Sequence, residues 1–499
     1  MWSQIKRIIR QILNPGEDFN QRVVSSGFWV FALRITERSF NLLRLLILAR
    51  ILAPHDFGLL GIALLTMAAL ERFSEPGFGQ ALIQKKDDIE SYLNTAWTFK
   101  ILRSVILFII IYLISPYVAF FFETSEAEPI IQAIGLCILF SGFNNIGTIY
   151  FRKELEFNRE FAFRFSRTIV DFVVAVSAAI ILQSVWALVY GKVASTLVAC
   201  IVSYLIHPYR PRLSFDLPKA RELFTFGKWV MGSTILIFLL TQGDDIFVGK
   251  LLGAAALGFY QLAYRISNMP ATEITKVISQ VTFPAYSKLQ DNVKKLRKSY
   301  LMVLQFTTFL SIPLAGMILV LASDFTRLFL GEKWMPMVPA MQVLAIFGLL
   351  RSIGATTGPV FMAVGKPELV TKITFIRLFL MLALIYPLTI TWGIVGASIA
   401  VVLSILLLDP IAYFLVIKIT KCSVSEFGKM IIFPFLGTAV MVSPFIYFKY
   451  YLVEIGVISF FGLIALALIL YLLMVYIFDR YTSYNFSLVK KQLSAIKGD

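Results

Sequence analysis

Apolar runs of about 20 residues recur from end to end of this 499-residue chain, each long enough to cross the roughly 30 Å hydrocarbon layer of a bilayer. Inside that layer every backbone N–H and C=O must be bonded within the segment, so such runs fold as helices. Composition agrees, with 58% of residues hydrophobic and a mean hydropathy of +0.79. Only 15% are charged, against about 25% in a soluble domain. The fold class is therefore an all-α polytopic membrane protein. Fourteen spans are expected, at 24–49, 57–80, 92–122, 129–150, 161–182, 186–206, 223–243, 255–284, 300–322, 337–362, 369–390, 393–417, 430–448 and 456–478. Pro270 should kink the eighth, and Glu75-Pro76-Gly77 should bend or unwind the end of the second.

The first two spans come back 200 residues later. Gly27-Phe28-Trp29-Val30 returns as Gly227-Lys228-Trp229-Val230, Arg50-Ile51-Leu52-Ala53 as Lys250-Leu251-Leu252-Gly253, and Phe57-Gly58 as Leu257-Gly258. A self-similar half in a polytopic chain points to a transporter whose like lobes meet around a central site. The expected organisation is a cytoplasmic amphipathic lead-in (1–22), a first six-helix lobe (23–206) and an interlobe linker (207–222). A second six-helix lobe (223–417), two further helices (418–479) and a cytoplasmic tail (480–499) complete it. The lead-in mixes Lys6, Arg7, Arg10, Glu17 and Asp18 with Ile and Leu, and reads as a surface segment rather than an export signal.

The net charge of +16 raises the question of nucleic acid. With both termini inside, alternate connections on the cytoplasmic side hold 25 Lys and Arg, and those on the other side hold 5. That asymmetry is topological, and the acidic turn Glu123–Glu128 marks the outer face. No nucleic-acid partner is expected. Cys137, Cys200 and Cys422 lie in or beside apolar segments and make no disulfide framework. GxxxxGK[ST] is absent, and two histidines, His55 and His207, cannot build a His-rich metal site. No outward loop exceeds about 15 residues, so an embedded glycosyltransferase or polymerase lacks an obvious catalytic domain.

The remaining cations sit inside or at the edges of spans, where a central Arg costs roughly 2.5–3.5 kcal/mol and usually faces a cavity or a partner. Arg34, Glu37, Arg38, Asn41 and Arg44 form one stripe on the first span. Arg164, Arg167, Thr168 and Asp171 form another on the fifth, and the second adds Glu71, Arg72 and Glu75. One reading pairs Arg34 with Glu37 and Arg167 with Asp171 across helices, with Arg44 and Arg164 snorkelling to the interfaces. The other leaves cations in excess, to be neutralised by an anion whose phosphate oxygens a guanidinium grips through two bonds. On that reading Arg34, Arg38, Arg44, Arg164 and Arg167 bind diphosphate, with Glu37, Arg72 and Asp171 as supports or ion-pair partners. The eighth span carries Gln261, Tyr264, Arg265, Asn268, Thr272 and Thr275 along one face. That face is either a sugar-contacting wall or ordinary interhelical hydrogen bonding. Glu75 and the isolated acids Asp245, Glu273 and Asp409 are candidates for proton or ion coupling.

Ala49-Arg50-Ile51-Leu52-Ala53-Pro54-His55-Asp56-Phe57-Gly58, followed by Gly77-Phe78-Gly79-Gln80-Ala81-Leu82-Ile83-Gln84, resembles the first-hairpin signature of Wzx-type polysaccharide flippases. Asp244-Asp245-Ile246-Phe247-Val248-Gly249-Lys250-Leu251-Leu252-Gly253 is similar to the second-lobe counterpart. Gly331-Glu332-Lys333-Trp334 and Gly365-Lys366-Pro367 extend the likeness over roughly residues 20–420, closest to the exopolysaccharide branch. The resemblance implies the fold of the multidrug/oligosaccharidyl-lipid/polysaccharide superfamily, with two pseudo-twofold-related six-helix lobes plus two C-terminal helices. It implies a transporter rather than an enzyme, in a bacterial cytoplasmic membrane with both termini inside. The cargo it implies is an undecaprenyl-diphosphate-linked oligosaccharide, moved outward by alternating access through a cationic cavity. No cofactor is implied beyond a proton or sodium gradient or the membrane potential. Partners beyond the glycan-lipid and the bilayer would be a polysaccharide polymerase and a chain-length regulator. A cation-coupled multidrug exporter is the rival within the superfamily, and a membrane glycosyltransferase the rival outside it.

Overall fold

The protein is described here by a computed structural model covering residues 19–75, 77–84, 89–154, 156–451 and 456–481. Most of the expected lead-in and nearly all of the tail lie outside these residues. In chain order the helices are α1 (Phe19–Ile51), α2 (Pro54–Ser74), α3 (Phe78–Gln84), α4 (Glu90–Phe121) and α5 (Ala127–Gly142). A 3-10 turn then leads to α6 (Tyr150–Lys153), α7 (Phe157–Leu182), α8 (Trp186–Ile206) and α9 (Leu217–Ser287). The rest are α10 (Val293–Phe325), α11 (Val338–Gly354), α12 (Gly358–Ala363), α13 (Pro367–Leu406), α14 (Asp409–Thr420), α15 (Val424–Tyr451) and α16 (Val457–Tyr481).

Ten helical runs among the described residues are long and apolar enough to cross a bilayer, and the bent pair 127–142 and 146–153 makes an eleventh. Two of these runs, 234–287 and 367–420, are double passes. They break at Gly253 (φ 82°) and Gly393 (φ 59°), backbone angles that glycine adopts without strain. With those divided and the charge-striped α1 included, all fourteen expected spans fall on helix. Their outer surfaces are apolar: Phe120 is 84% exposed and Ile181 79%, as a lipid-facing helix requires. The chain is a multi-pass membrane protein. Helix continues through Pro270, and the break in α9 lies at Gly253 instead. The expected bend after the second span is present, since α2 ends at Ser74 and Gly77 has φ 68°.

The chain divides into two compact units, Met1–Gly258 and Phe259–Asp499. The division lies inside α9 rather than in the 207–222 linker, and contacts of the seventh span explain why. Lys250 Nζ donates to Glu123 Oε1 at 2.7 Å, Phe238 packs edge-on against Phe73, and Gly249 lies against Phe122. The linker is also held. Asn94 Oδ1 accepts from Tyr209 Oη and from Arg212 N, both at 2.9 Å. Thr98 Oγ1 accepts from Ser214 N at 3.0 Å, and Asp216 caps the start of α9 by accepting from Lys219 N.

The 200-residue repeat has a physical counterpart within the first unit. Ala53 and Gly253 are equivalent turn residues, one just before α2 and the other at the α9 break. A Cβ on Gly58 would lie 1.7 Å from the carbonyl oxygen of Ala254, and one on Gly258 2.0 Å from that of Pro54. Residues 54 and 254 are themselves equivalent, so the two helix starts cross backbone to backbone in a reciprocal, two-fold fashion. Only hydrogen fits at either glycine.

In the second unit, Tyr286, Tyr300, Leu304, Phe361 and Val416 join helices α9, α10, α12 and α14 in one core. Another core seats α15 and α16 on α10 through Met441, Phe445, Phe460 and Tyr471, whose hydroxyl donates to Phe309 O at 2.8 Å.

Gly58→Ala should destabilise the detergent-solubilised protein by about 2 kcal/mol or more, because the obstructing atom is backbone and cannot rotate away. Gly79→Ala, where nothing lies within 4 Å, should be neutral or slightly stabilising. Thermal melts of the two variants check this, and equal melting points would contradict the crossing. His207 stacks on Tyr150 (5.6 Å between ring centres) and accepts from Tyr209 N through Nδ1 at 3.1 Å. Burial, reinforced by neighbouring Arg159, pushes its imidazole below the ordinary 6.5. The unfolded chain therefore binds that proton more readily, so this contribution is full above pH 6.5 and is lost as the pH falls through the lowered value. The melting temperature should drop over that window in the native chain and flatten in His207→Gln.

Candidate functional site

The charged stripes of α1 and α7 meet. Trp29 packs on Phe161 and Phe40 on both Phe165 and Phe172, a progression that makes the two helices parallel. Two ion-pair rungs join them. Arg164 Nε and Nη2 grip Glu37 Oε1 and Oε2 at 3.0 and 2.9 Å, and Arg44 Nη2 lies 3.2 Å from Asp171 Oδ1. Both rungs span 127 positions in sequence, so they sit one heptad apart, about 10.5 Å along the axis. Their polarity is reversed, with the acid on α1 in the first rung and on α7 in the second. A register slip would therefore bring like charges together. Pairing of Arg34 with Glu37 and of Arg167 with Asp171 is not what forms. Residues at those spacings point to the neighbouring helix, where the complementary charge stands.

The lower rung is the drier one, with side chains of Arg44 and Asp171 only 12% and 11% exposed. Gly191 of α8 permits it, since a Cβ there would lie 2.7 Å from that of Ala175 and 3.1 Å from Asp171 Oδ1. The next residue, Lys192, is within electrostatic reach of Asp171, Arg44 and Arg167. Glu71 of α2 feels Arg103, Glu75, Arg72 and Arg167 in turn. Arg103 of α4 anchors this second cluster: it donates to Ser74 Oγ at 3.1 Å and Glu71 O at 2.8 Å, and lies 3.3 Å from Glu75. Lys100 of α4 lies within electrostatic reach of Glu75 and Arg103, so six cations (Arg44, Arg72, Lys100, Arg103, Arg167, Lys192) stand among three carboxylates (Glu71, Glu75, Asp171). Arg34 and Arg167 have no hydrogen bond or ion pair with any described residue. Arg38 is half-buried and engaged in an interaction of its own. Arg72 is exposed.

In the second unit the expected wall of the eighth span divides. Tyr264 is half-buried against Phe347 (5.8 Å), Gln261 is half-buried and Arg265 exposed. Asn268 is 2% exposed, sealed beneath Gly348 of α11, and neither atom of its amide has a hydrogen-bond partner among the described residues. Asp409 is not an isolated acid: Arg377 Nη2 donates to its Oδ1 at 2.5 Å and Tyr413 Oη to its Oδ2 at 3.0 Å. Asp245 and Glu273 also have interaction partners. Asp56 of the His55-Asp56 pair is a helix cap. Its two oxygens accept from Ala53 N (2.9 Å) and Val185 N (3.0 Å), tying α2 to the start of α8.

Lys192, Arg103, Arg351 and Arg377 are charged residues of the interior that the stripe argument passed over. Each lies within a predominantly apolar stretch of sequence, and a cation within a span was the signal available.

Fourteen helical passes in two units, with charged clusters built at the depth of the spans, define a membrane transporter fold. It is similar to that of the lipid II flippase MurJ in an inward closed conformation, with a TM-score of 0.72 at 14% identity over 92% of this chain and 99% of that one. Residues 47–339 match the family described as polysaccharide biosynthesis protein, and the chain belongs to that family. The lipopolysaccharide biosynthesis protein WzxC of Escherichia coli (strain K12) is 27% identical over 80% of this chain and 81% of its own length. The teichuronic acid biosynthesis protein TuaB of Bacillus subtilis (strain 168) is 28% identical over 73% and 76%.

Asp171→Ala should cost about 3 kcal/mol or more, because it strands the Arg44 guanidinium without its counter-charge. Arg44→Met combined with Asp171→Leu should recover most of that loss. A double-mutant cycle on thermal melts measures the coupling, and additive effects would show that the rung is not an interaction unit.

Proposed function

We propose that this protein is a flippase for a lipid-linked oligosaccharide. It carries an undecaprenyl-diphosphate-linked repeat unit from the cytoplasmic to the outer leaflet of a bacterial inner membrane. It acts as a transporter and not as an enzyme. The barrier it removes is the transfer of phosphate charge and sugar hydroxyls through hydrocarbon.

The observation that carries this reading is the unbalanced cluster of the first unit, where six cations face three carboxylates. The excess of positive charge suits a diphosphate, which bears one negative charge on each phosphorus. Arg34 and Arg167 would meet it first, their guanidinium groups uncommitted. Arg44 and Arg164 hold the helices in register and are available by exchanging a carboxylate for a phosphate oxygen. The prenyl chain needs no site, since lipid already solvates it.

Both termini are placed in the cytoplasm on the basic-residue asymmetry. Transport by alternating access is biased by a proton or sodium gradient or by the membrane potential. A polymerase and a chain-length regulator are the partners that would receive and process the delivered unit.

The test is a leaflet-exchange assay in proteoliposomes with a fluorescent prenyl-diphosphate-linked oligosaccharide. Arg34→Ala combined with Arg167→Ala should lower the flipping rate at least tenfold with an unchanged melting temperature. Flipping at the native rate by that stably folded variant would remove the diphosphate role. Export of cationic amphipathic drugs in place of the glycan-lipid would establish the multidrug alternative.

A further inference from the structure

The second unit contains a cavity of about 320 Å³ that the diphosphate reading does not use. Its polar wall includes Thr275 and Ser279 of α9, Arg351 of α11, Thr357, Thr374 and Arg377 of α13, and Asp409 of α14. One side of it is a broken helix. α11 stops at Gly354, residues 355–357 turn, and α12 starts at Gly358. Interrupted helix at membrane depth is tolerated where the freed backbone lines a cavity.

The charges of this wall do not cancel. Each oxygen of Asp409 accepts one hydrogen bond, from Arg377 and from Tyr413, and its close approach depends on Gly354, where a Cβ would lie 2.8 Å from Asp409 Oδ2. Arg351 has only neutral contacts. Its Nη2 donates to Thr272 Oγ1 at 2.6 Å and to Asn268 O at 3.4 Å, and its guanidinium lies 5.8 Å from the ring centre of Phe347. No carboxylate pairs with Arg351, and Nη1 of neither arginine has a protein partner, among the described residues. The wall therefore holds two guanidinium groups and one carboxylate, an excess of a single positive charge.

We infer that this cavity is a subsite for an acidic sugar, a monosaccharide-sized group carrying one carboxylate. Size sets the first limit. The volume is near the lower end of ligand pockets, about 300–1,000 Å³, and equals about ten waters of liquid. It has room for one six-carbon ring. Charge sets the second limit, since one carboxylate neutralises the excess and a diphosphate overshoots it. Chemistry selects within those limits. A guanidinium fork matches a carboxylate, and the apolar side of the cavity at Phe361 and Met362 suits the C–H face of a sugar ring. Thr275 and Thr357 spend their hydroxyl protons on Ala271 O and Gly354 O, which leaves their lone pairs to accept from sugar hydroxyls. The inference rests on the glycan-lipid reading only for the identity of the larger molecule that bears the acid.

The test is equilibrium binding of free monosaccharides to the full chain in lipid nanodiscs, followed by calorimetry and by melting-temperature shift. Sodium galacturonate should bind, with galactose and inorganic phosphate each at least tenfold weaker. Arg351→Ala should abolish the galacturonate shift and Arg351→Lys should retain part of it. Arg34→Ala, in the other unit, should leave it intact. If Arg351→Ala does not fold, Arg351→Gln takes its place with the same expectation. Equal binding of galactose would make the cavity a neutral-sugar pocket and overturn the inference. Phosphate binding as tight as galacturonate, or binding unaffected by loss of the Arg351 charge, would overturn it as well. Flipping of a glycan-lipid without galacturonate binding sinks the subsite and leaves transport standing. Galacturonate binding without flipping does the reverse.

Discussion

The crossing of the Pro54–Gly58 turn with the Ala254–Gly258 turn is the constraint from which the first unit is organised. Two helix starts meet through their backbones because neither Gly58 nor Gly258 carries a Cβ. Side chains of any size would separate the turns, and no flexible group is present to absorb the difference. Asp56 then fastens one of these turns to α8 through Val185 N. Lys250 fastens the other to the α4–α5 loop through Glu123. The conserved spacing between repeats within this one chain thus has a steric meaning: equivalent glycines occupy equivalent places in a reciprocal contact.

From that frame the α1–α7 rungs acquire their purpose. Membrane helices gain little from apolar attraction to one another, since lipid is equally apolar, and their association relies on close fit and polar contacts. Aromatic side chains of α1 and α7 give area, but Phe against Phe tolerates sliding. Glu37–Arg164 and Arg44–Asp171, with acid and base exchanged between the helices, admit one alignment. Their cost is offset unequally. The Arg164 rung is the more open one, with side chains 42% and 20% exposed. The Arg44 rung is enclosed, and its worth lies in the penalty for breaking it.

Periodicity reported helices, and composition reported the membrane, because both follow from the backbone's need for internal bonds. The turn at Gly253 could be anticipated from its equivalence to Ala53, and through Pro270 the chain stays helical. What the sequence could not supply was rotation about each helix axis. Glu37 lies three residues from Arg34 and 127 from Arg164, yet the distant residue is its partner. Asp409 looked solitary for the same reason: Arg377 is 32 residues away on another helix. Asn268 shares a helical face with Gln261, Tyr264 and Arg265, and only the packing of Gly348 over it separates it from them. Lone cations such as Lys192 and Arg351 were visible as letters, but their environment was not.

The two units have internal charge of the same sign but unequal amount, and this bears on how a ligand could drive motion. A ligand shifts a conformational equilibrium only by binding one state better than another. Arginines already paired inside the protein provide such a difference, since an arriving anion can replace their carboxylate partner only where geometry lets both approach. Arg44 is held by Asp171 in a nearly closed environment, so an anion reaching it must open the rung between α1 and α7. Arg34 and Arg167 have no such carboxylate rung to open among the described residues. A cargo that first meets the uncommitted guanidinium groups and then competes for the committed ones couples its own binding to helix separation. In the second unit Arg377 is tied to Asp409 while Arg351 is free of acids, the same division between a locked cation and an available one. The arrangement thus recurs in a different set of helices, with Arg44–Asp171 in one unit and Arg377–Asp409 in the other.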